Sequence, residues 1–270
     1  MEDRKSVEGW GPVGARDHAD WLNSLSGSAV TGFHPRPTDH DGLWILNAMY
    51  ERTTGTARES HHERHRRDLA SGAEPPLVIG DWNELEDGHG MTVTGGSMGW
   101  SEHPGTGWRR LPWRELAERT GDPISPPGLP PCYRAFPSAK MDGSWPTSIE
   151  PPTEGSLDIE SFRALAKVLR EHAGSDTVVM AFYCQLYTGD FDDLYILQGT
   201  LGTLEELEHH WMPYSPSNIW PSDRSWLMTT DTDLWGTQVS GPSELLAAVE
   251  ADTGLETVRL PPLDTAEDDA

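Results

Sequence analysis

The spacing of apolar residues is clearest in the C-terminal half of the chain. Within Asp158–His172, apolar side chains recur at steps of three and four residues, which predicts an amphipathic helix with Ser156 or Asp158 as its N-cap. The segment Thr177–Leu186 is β-branched and aromatic on both faces, as in a central strand, and Leu194–Gln198 follows after a polar turn. We expect these two strands to pair as a hairpin.

Further elements are predicted after residue 200. Thr203 and Glu206 have the spacing of a capping box, which indicates that a helix begins there. The predicted elements are a helix Thr203–Trp211, a hairpin of strands Trp226–Thr230 and Trp235–Ser240, a helix Pro242–Asp252 closed by Gly254, and a strand Glu256–Leu260. This order of helices and strands predicts an α+β fold with a mainly antiparallel sheet and flanking helices.

The N-terminal half has a weaker pattern. Its predicted elements are a short helix Asp17–Leu25, a buried strand Gly42–Tyr50, strands Pro76–Trp82 and Met91–Trp100, and a helix Pro112–Arg119 ended by Gly121. The segment Glu51–Glu74, between the predicted strands Gly42–Tyr50 and Pro76–Trp82, contains almost no apolar residue. We interpret it as a mobile loop or a polar helix that extends into solvent.

Proline indicates how the chain is divided. The segment Asp122–Pro131 has five prolines in ten residues, so it can form neither a helix nor a central strand. We therefore expect two subdomains joined by a proline-rich connector, and we find no internal repeat. The predicted units are an N-terminal α+β subdomain 1–121 with a polar insertion 51–74, a connector 122–152, a C-terminal α+β domain 153–262, and a disordered acidic tail 263–270.

Charge narrows the classes of partner. The chain of 270 residues has a net charge of −24, and residues 171–270 hold 19 acids and two bases, a net charge of −17 for that third. Such a field repels nucleic acid and anionic lipid, and it speeds encounter with a basic protein. The alternative is that the acids serve only solubility.

Other features of the sequence indicate the cellular location of the protein and the redox state of its cysteines. The longest apolar runs are far below the ~20 residues of a bilayer span, and the first residues lack the apolar segment of a signal peptide. We therefore expect a cytoplasmic protein that contacts no membrane. Cys132 and Cys184 belong to no CxxC pair, which predicts free thiols.

Two short motifs could indicate a metal site. His61 and His65 have the spacing of a zinc helix, but His62 stands where a zincin needs glutamate, which favours a solvated segment. Asp231 and Asp233 resemble the DxD signature of sugar-nucleotide transferases, but aspartate is also a preferred turn residue, which favours a turn. No metal is predicted. No cofactor is predicted either, because the glycine-rich MTVTGGSMG lacks a phosphate-binding spacing.

The segment 215–241 holds the candidate binding residues. They are Trp220, Arg224, Trp226, Asp231, Asp233 and Trp235. Trp226 and Trp235 flank the proposed turn and are expected to pair across the hairpin, with Arg224 near Asp231, Asp233 or the Trp220 ring. Because tryptophan serves both cores and interfaces, packing and a partly exposed binding surface both stay open.

Several stretches carry a resemblance. NIWPSDRSWLMTTDTDLWGTQVSG, LWILNAMYE, GWRRLPWRELAER and TSIEPPTEGSLD resemble a group of hypothetical proteins of actinomycetes, over about Gly32 to Leu260 without the polar insertion. The resemblance implies no activity and no catalytic residues. More loosely, an acidic intracellular α+β protein is similar in character to the immunity proteins of bacterial toxin systems.

These observations favour a non-catalytic cytosolic interaction protein, with the immunity proteins as one class that fits. It would bind a basic protein partner through an acidic, tryptophan-containing surface of the C-terminal domain. One alternative is an enzyme of unknown reaction, metal-assisted, with Asp231 and Asp233 in its site. The other is a module that binds a small ligand in a cleft between the subdomains.

Overall fold

The computed structural model describes residues 7–55, 59–72, 97–125, 129–141 and 143–262. The strands are β1 Gly11–Pro12, β2 Asp41–Leu46, β3 Tyr50–Arg52, β4 Trp108–Arg110, β5 Ile149–Glu150, β6 Val178–Tyr183, β7 Tyr195–Thr200, β8 Asn218–Pro221, β9 Leu227–Thr229, β10 Gly236–Gly241 and β11 Thr257–Arg259. They form an eight-stranded antiparallel sheet, in the order β1-β7-β6-β8-β9-β10-β2-β11, and a three-stranded sheet β4-β3-β5.

Helices flank these sheets. The helices are α1 Ala15–Ser24, α2 His61–Ala70, α3 Trp113–Thr120, α4 Ile159–Ala173, α5 Gln185–Thr188 and α6 Ser243–Ala251, with 3₁₀ helices at Pro137–Ala139 and Leu201–His209. The predicted fold class, α+β with a mainly antiparallel sheet and flanking helices, is confirmed.

Both predicted hairpins are present. Strand β6 pairs with β7 along six residues, and Gly189, with φ 66°, ends the short helix α5 between them. Strand β9 pairs with β10, and Val239 lies opposite Met228. Each pair joins neighbouring apolar segments across a polar connection, which is a local signal for a hairpin.

Helix α4 has the predicted cap and the predicted buried face. The Asp158 carboxylate accepts the backbone N–H of Ser161 at 2.9 Å and that of Ala48 at 2.9 Å, which satisfies a fully buried acid. The apolar face of α4, with Phe162 and Leu165, packs on the large sheet in the main core. One carboxylate thus joins the helix start to the end of β2.

The predicted strand Gly42–Tyr50 is wrong in its second half. Strand β2 ends at Leu46, because the buried Asn47 amide donates to the Thr153 carbonyl at 2.8 Å and the Ser156 carbonyl at 2.9 Å. Tyr50 then begins β3 of the small sheet. A buried asparagine therefore moves the chain from one sheet to the other.

Strand β2 also joins the two predicted subdomains. It lies between β10 and β11, and β1 pairs with β7, so strands from 1–121 share one sheet with strands from 153–262. The boundaries of the predicted units stay a prediction.

In its described residues, 51–55 and 59–72, the segment Glu51–Glu74 is not a loop that extends freely into solvent. Its first residues belong to β3, and Ser60 and Glu63 form a capping box at the start of α2. Ser60 is buried, and the His61 N–H donates to the Trp145 carbonyl at 2.9 Å. The polar-helix alternative is correct for α2, which buries none of its residues, but its N-terminus is attached to the body of the protein.

The predicted helix Thr203–Trp211 differs in type and in its start. The segment is a 3₁₀ helix, and the Thr203 hydroxyl donates to the Thr200 carbonyl instead of capping. Two outside contacts hold this geometry: the Gly202 N–H donates to the Ser175 carbonyl, and the Trp10 indole donates to the Thr203 carbonyl. Tertiary contacts therefore override the local capping signal.

The remaining predictions have mixed outcomes. Helices α1, α3 and α6 and strand β11 are confirmed, and α3 ends at Gly121 with φ 75°. The predicted strand Pro76–Trp82, most of Met91–Trp100 and the acidic tail 263–270 lie outside the described residues. Cys132 and Cys184 are free and buried, as predicted.

Candidate functional site

The three tryptophans of the predicted site belong to the core. Trp220 is 2% exposed, and Trp226 and Trp235 are each 1% exposed. Trp226 lies beside Gly241 and packs in the main core, while Trp235 packs in a second cluster with Trp113, so the expected pair across the hairpin is wrong. None of these rings can anchor a partner while it is buried in this way.

Arg224 lies away from the two aspartates. It is exposed in the turn between β8 and β9, and its guanidinium lies 5.6 Å from the centre of the Trp21 ring. Trp21 in turn contacts Trp220, with ring centres 6.1 Å apart. Arg224 thus covers the edge of an aromatic cluster, which is a packing role.

Asp231 and Asp233 form the predicted turn. The Asp233 N–H donates to Asp231 Oδ1 at 3.0 Å, which is an Asx turn between β9 and β10. Asp231 is half-buried and Asp233 is exposed. Throughout the described ranges, no group of three or more His, Cys, Asp or Glu residues is placed to hold a metal ion.

The register of the large sheet brings two loops to the same end. Phe182, near the end of β6, lies opposite Asn218, which lies opposite Thr229 at the end of β9. The loops that follow these strands, residues 184–194 and 230–235, therefore leave the sheet at one end. Each loop carries aspartates.

Five aspartates collect on these two loops, and we call this surface the acidic end. They are Asp190, Asp192, Asp193, Asp231 and Asp233. In the part of the chain that the structure describes, none of the five forms an ion pair. Other acids of the C-terminal third are neutralised by helix α4. These pairs are Glu208 with Arg163, Glu205 with Arg170, and Asp252 with Lys167.

Exposed apolar side chains lie among these acids. Phe191 is 60% exposed, Leu186 is 50% exposed and Val30 is 41% exposed. Val30 and Leu186 are neighbours, because the Leu186 N–H donates to the Val30 carbonyl at 3.1 Å. An exposed apolar pair such as Val30 and Leu186, with polar residues around it, is typical of protein interaction sites.

The loop that carries Phe191 has a defined shape. Asp190 Oδ1 accepts the backbone N–H groups of Asp192 and Asp193, each at 3.1 Å, and the Gln185 amide donates to the Phe191 carbonyl at 3.0 Å. These bonds fix the backbone on both sides of the exposed ring. A side chain presented by an ordered loop loses less entropy on binding than one on a flexible loop.

Sequence reasoning missed Phe191, although a signal existed. The run DFDD after Gly189 places one aromatic residue among three acids in a polar connection, where no core position requires it. By contrast, the tryptophans attracted attention because of their size. Their burial follows from strand register, which a local pattern does not reveal.

Cys184 does not have the surroundings of a nucleophile. Burial raises the pKa of the Cys184 thiol, so the thiol stays protonated at neutral pH. The Ser217 hydroxyl accepts the Cys184 backbone N–H at 3.1 Å, which gives that hydroxyl a structural role.

Among the described residues, no helix is long and apolar enough to cross a membrane.

The comparisons with known proteins found no similar protein. No protein-family model matches the chain, and neither the curated proteins nor the solved structures contain a match.

Proposed function

We propose that the protein is a non-catalytic cytoplasmic interaction protein that binds a basic protein partner through the acidic end. The observation that supports this is the juxtaposition of carboxylates without ion pairs and exposed Phe191, Leu186 and Val30 on one end of the sheet. Immunity-like proteins, which bind a basic toxin, are one class with these properties.

The two kinds of residue have different roles in this proposal. The carboxylates attract a basic surface at long range and raise the association rate, an effect that salt weakens. Phe191 is the apolar anchor that slows dissociation once it is buried, since truncating such an anchor typically costs ~2 kcal/mol or more.

A metal-assisted enzyme is the weaker alternative. It needs Asp231 and Asp233 to act as ligands, but Asp231 Oδ1 is engaged in the turn and no third ligand lies beside the pair within the described ranges. A small-ligand module is favoured by a separate cleft beside the small sheet.

The test uses variants that keep the loop geometry. Asp190→Asn, Asp192→Asn and Asp193→Asn together remove three charges, and asparagine at position 190 retains the Oδ1 acceptor of its turn. Phe191→Ser separately removes the apolar anchor. We expect the triple variant to slow association with the captured partner and Phe191→Ser to speed its dissociation, as measured by surface plasmon resonance.

A matched control changes the same charge at the other end of the sheet. Asp176→Asn, Asp223→Asn and Glu244→Gln are three exposed substitutions near the start of β6, after β8 and at the start of α6. The partner is captured from a lysate of the source cell with the wild-type protein. Equal loss of binding in both triple variants, or unchanged dissociation with Phe191→Ser, would leave only nonspecific electrostatics and refute the proposal.

A further inference from the structure

A cleft of about 330 Å³ lies between the small sheet and residues 97–104. Tyr50 of β3 and Glu150 of β5 line it from the sheet, where they are paired neighbours, and Trp100 and Glu102 line it from the segment. Sites for small molecules have volumes from about 300 Å³ upward. The cleft shares no residue with the acidic end.

Two buried donors in this cleft lack an acceptor. The Tyr50 hydroxyl belongs to a side chain that is 2% exposed, and neither it nor the Trp100 indole N–H has a hydrogen-bond partner among the described residues. The Glu160 carboxylate lies near the Tyr50 hydroxyl without making a hydrogen bond of ordinary geometry. Buried donors are normally satisfied, so the cleft favours a ligand that supplies an oxygen acceptor.

Two carboxylates line the cleft, Glu150 and Glu102. Burial raises the pKa of the half-buried Glu150, so its negative charge is costly until a cation pairs with it. Burial together with the charges of Asp158 and Glu160 raises the pKa of Tyr50, so its hydroxyl remains a donor. The nearby cations are engaged elsewhere. Arg110 donates to the Gly254 carbonyl and the Ser161 hydroxyl, and Arg64 is close to Glu59.

Its walls are partly aromatic. Trp100 and Tyr50 line the cleft, and the His103 ring meets the Tyr50 ring edge-on with centres 4.8 Å apart. Aromatic faces together with carboxylates recognise organic cations through cation–π attraction and charge-assisted hydrogen bonds. Indole and hydroxyl donors would bind an oxygen of the same ligand.

We propose that this cleft binds a small organic cation, a protonated amine that also carries a carbonyl or hydroxyl oxygen. Glu150 accepts from the ammonium group, and Tyr50 and Trp100 donate to the oxygen. Glu102, at the exposed rim, adds negative charge at the entrance. This site does not depend on the proposed protein partner.

A matched series of probes separates the two recognition elements. Leucinamide has the amine and the carbonyl, isoamylamine keeps the chain and the amine, and 4-methylpentanamide keeps the chain and the amide. We expect titration calorimetry to give a Kd for leucinamide that is about tenfold or more below that of either other probe, since each of them leaves one group of the cleft unpaired.

Two variants assign the roles. Glu150→Gln should raise the leucinamide Kd about tenfold or more, because it removes a charged acceptor. Tyr50→Phe should weaken leucinamide but not isoamylamine, and it should leave the melting temperature of the free protein unchanged or higher, because it removes an unsatisfied hydroxyl. Glu244→Gln, an exposed change on α6, is the control.

The proposal fails if leucinamide does not bind, or if 4-methylpentanamide binds as tightly as leucinamide. It also fails if isoamylamine matches leucinamide, because the oxygen then has no role. Should Glu150→Gln not fold, Glu102→Gln at the exposed rim takes its place, with a smaller expected loss of affinity for both amines and none for the amide.

Discussion

Protonation of His34 should make the fold sensitive to acid. His34 is 0% exposed, and neither ring nitrogen makes a hydrogen bond of ordinary geometry among the residues that the structure describes. Burial lowers its pKa from 6.5 to about 4, an effect that the Leu22 backbone only partly opposes. The neutral imidazole is therefore the form that fits the folded protein.

The sign and size of the effect follow from this difference in pKa. Above pH 6.5 both the folded and unfolded states hold a neutral ring, so His34 adds no pH dependence. Below it, the unfolded state takes up a proton first, and stability is lost until the pH falls through about 4. The free energy of unfolding falls by about 3 kcal/mol in all, and about 2 kcal/mol of this fall should have occurred by pH 5.

Urea unfolding at pH 7.5 and pH 5.0 tests this expectation. The wild-type protein and His34→Leu are compared, so that changes in net charge and the half-buried His40 and His61 contribute equally and cancel. We expect the wild type to lose about 2 kcal/mol more than the variant between these pH values. The exposed His172→Gln provides the control. Equal losses in wild type and His34→Leu would refute the reasoning.

Two further predictions concern the space around a glycine and the effect of metal ions on the melting temperature. Gly32→Ala should lower the free energy of unfolding by roughly 2–4 kcal/mol in the same assay, since a Cβ there, at φ +85°, would lie 2.4 Å from Ser217 Cβ. Gly14→Ala, which meets no atom within 4 Å, should change it by less than about 1 kcal/mol. Mg²⁺, Mn²⁺ or Zn²⁺ should not raise the melting temperature, and a rise abolished by Asp231→Asn with Asp233→Asn would instead support the enzyme alternative.

Local patterns predicted the parts of the fold that local forces determine. Helix α4 has a 3.6-residue period and an aspartate cap, and the β6–β7 hairpin joins neighbours in the chain, so each could be recognised from one window of sequence. Ser60 and Glu63 carried an equally local signal for α2, the capping box. It was overlooked because the low apolar content of the segment favoured a loop.

Non-local features were beyond the reach of these patterns. Strand β2 pairs with β10 and β11, about 190 to 215 residues later in the chain, and nothing in its own sequence indicates those partners. The same is true of the site. Trp226 and Trp235 are close in sequence but pack in different clusters, whereas Asp190 and Asp231 are distant in sequence but share one end of the sheet.

Residues 28–34 connect the stability of the fold to the proposed interface. This loop is closed by the Ser28 N–H donating to the Phe33 carbonyl, and it presents Val30 beside Leu186. It is held at its base by the buried His34 and by the close approach of Gly32 to Ser217. A charge on that imidazole or a methyl group at Gly32 would displace the loop together with its exposed apolar side chain. Partner binding and stability should therefore fall together in the Gly32 variant, whereas Phe191→Ser should affect binding alone, because its ring is exposed and supports no buried contact of the core.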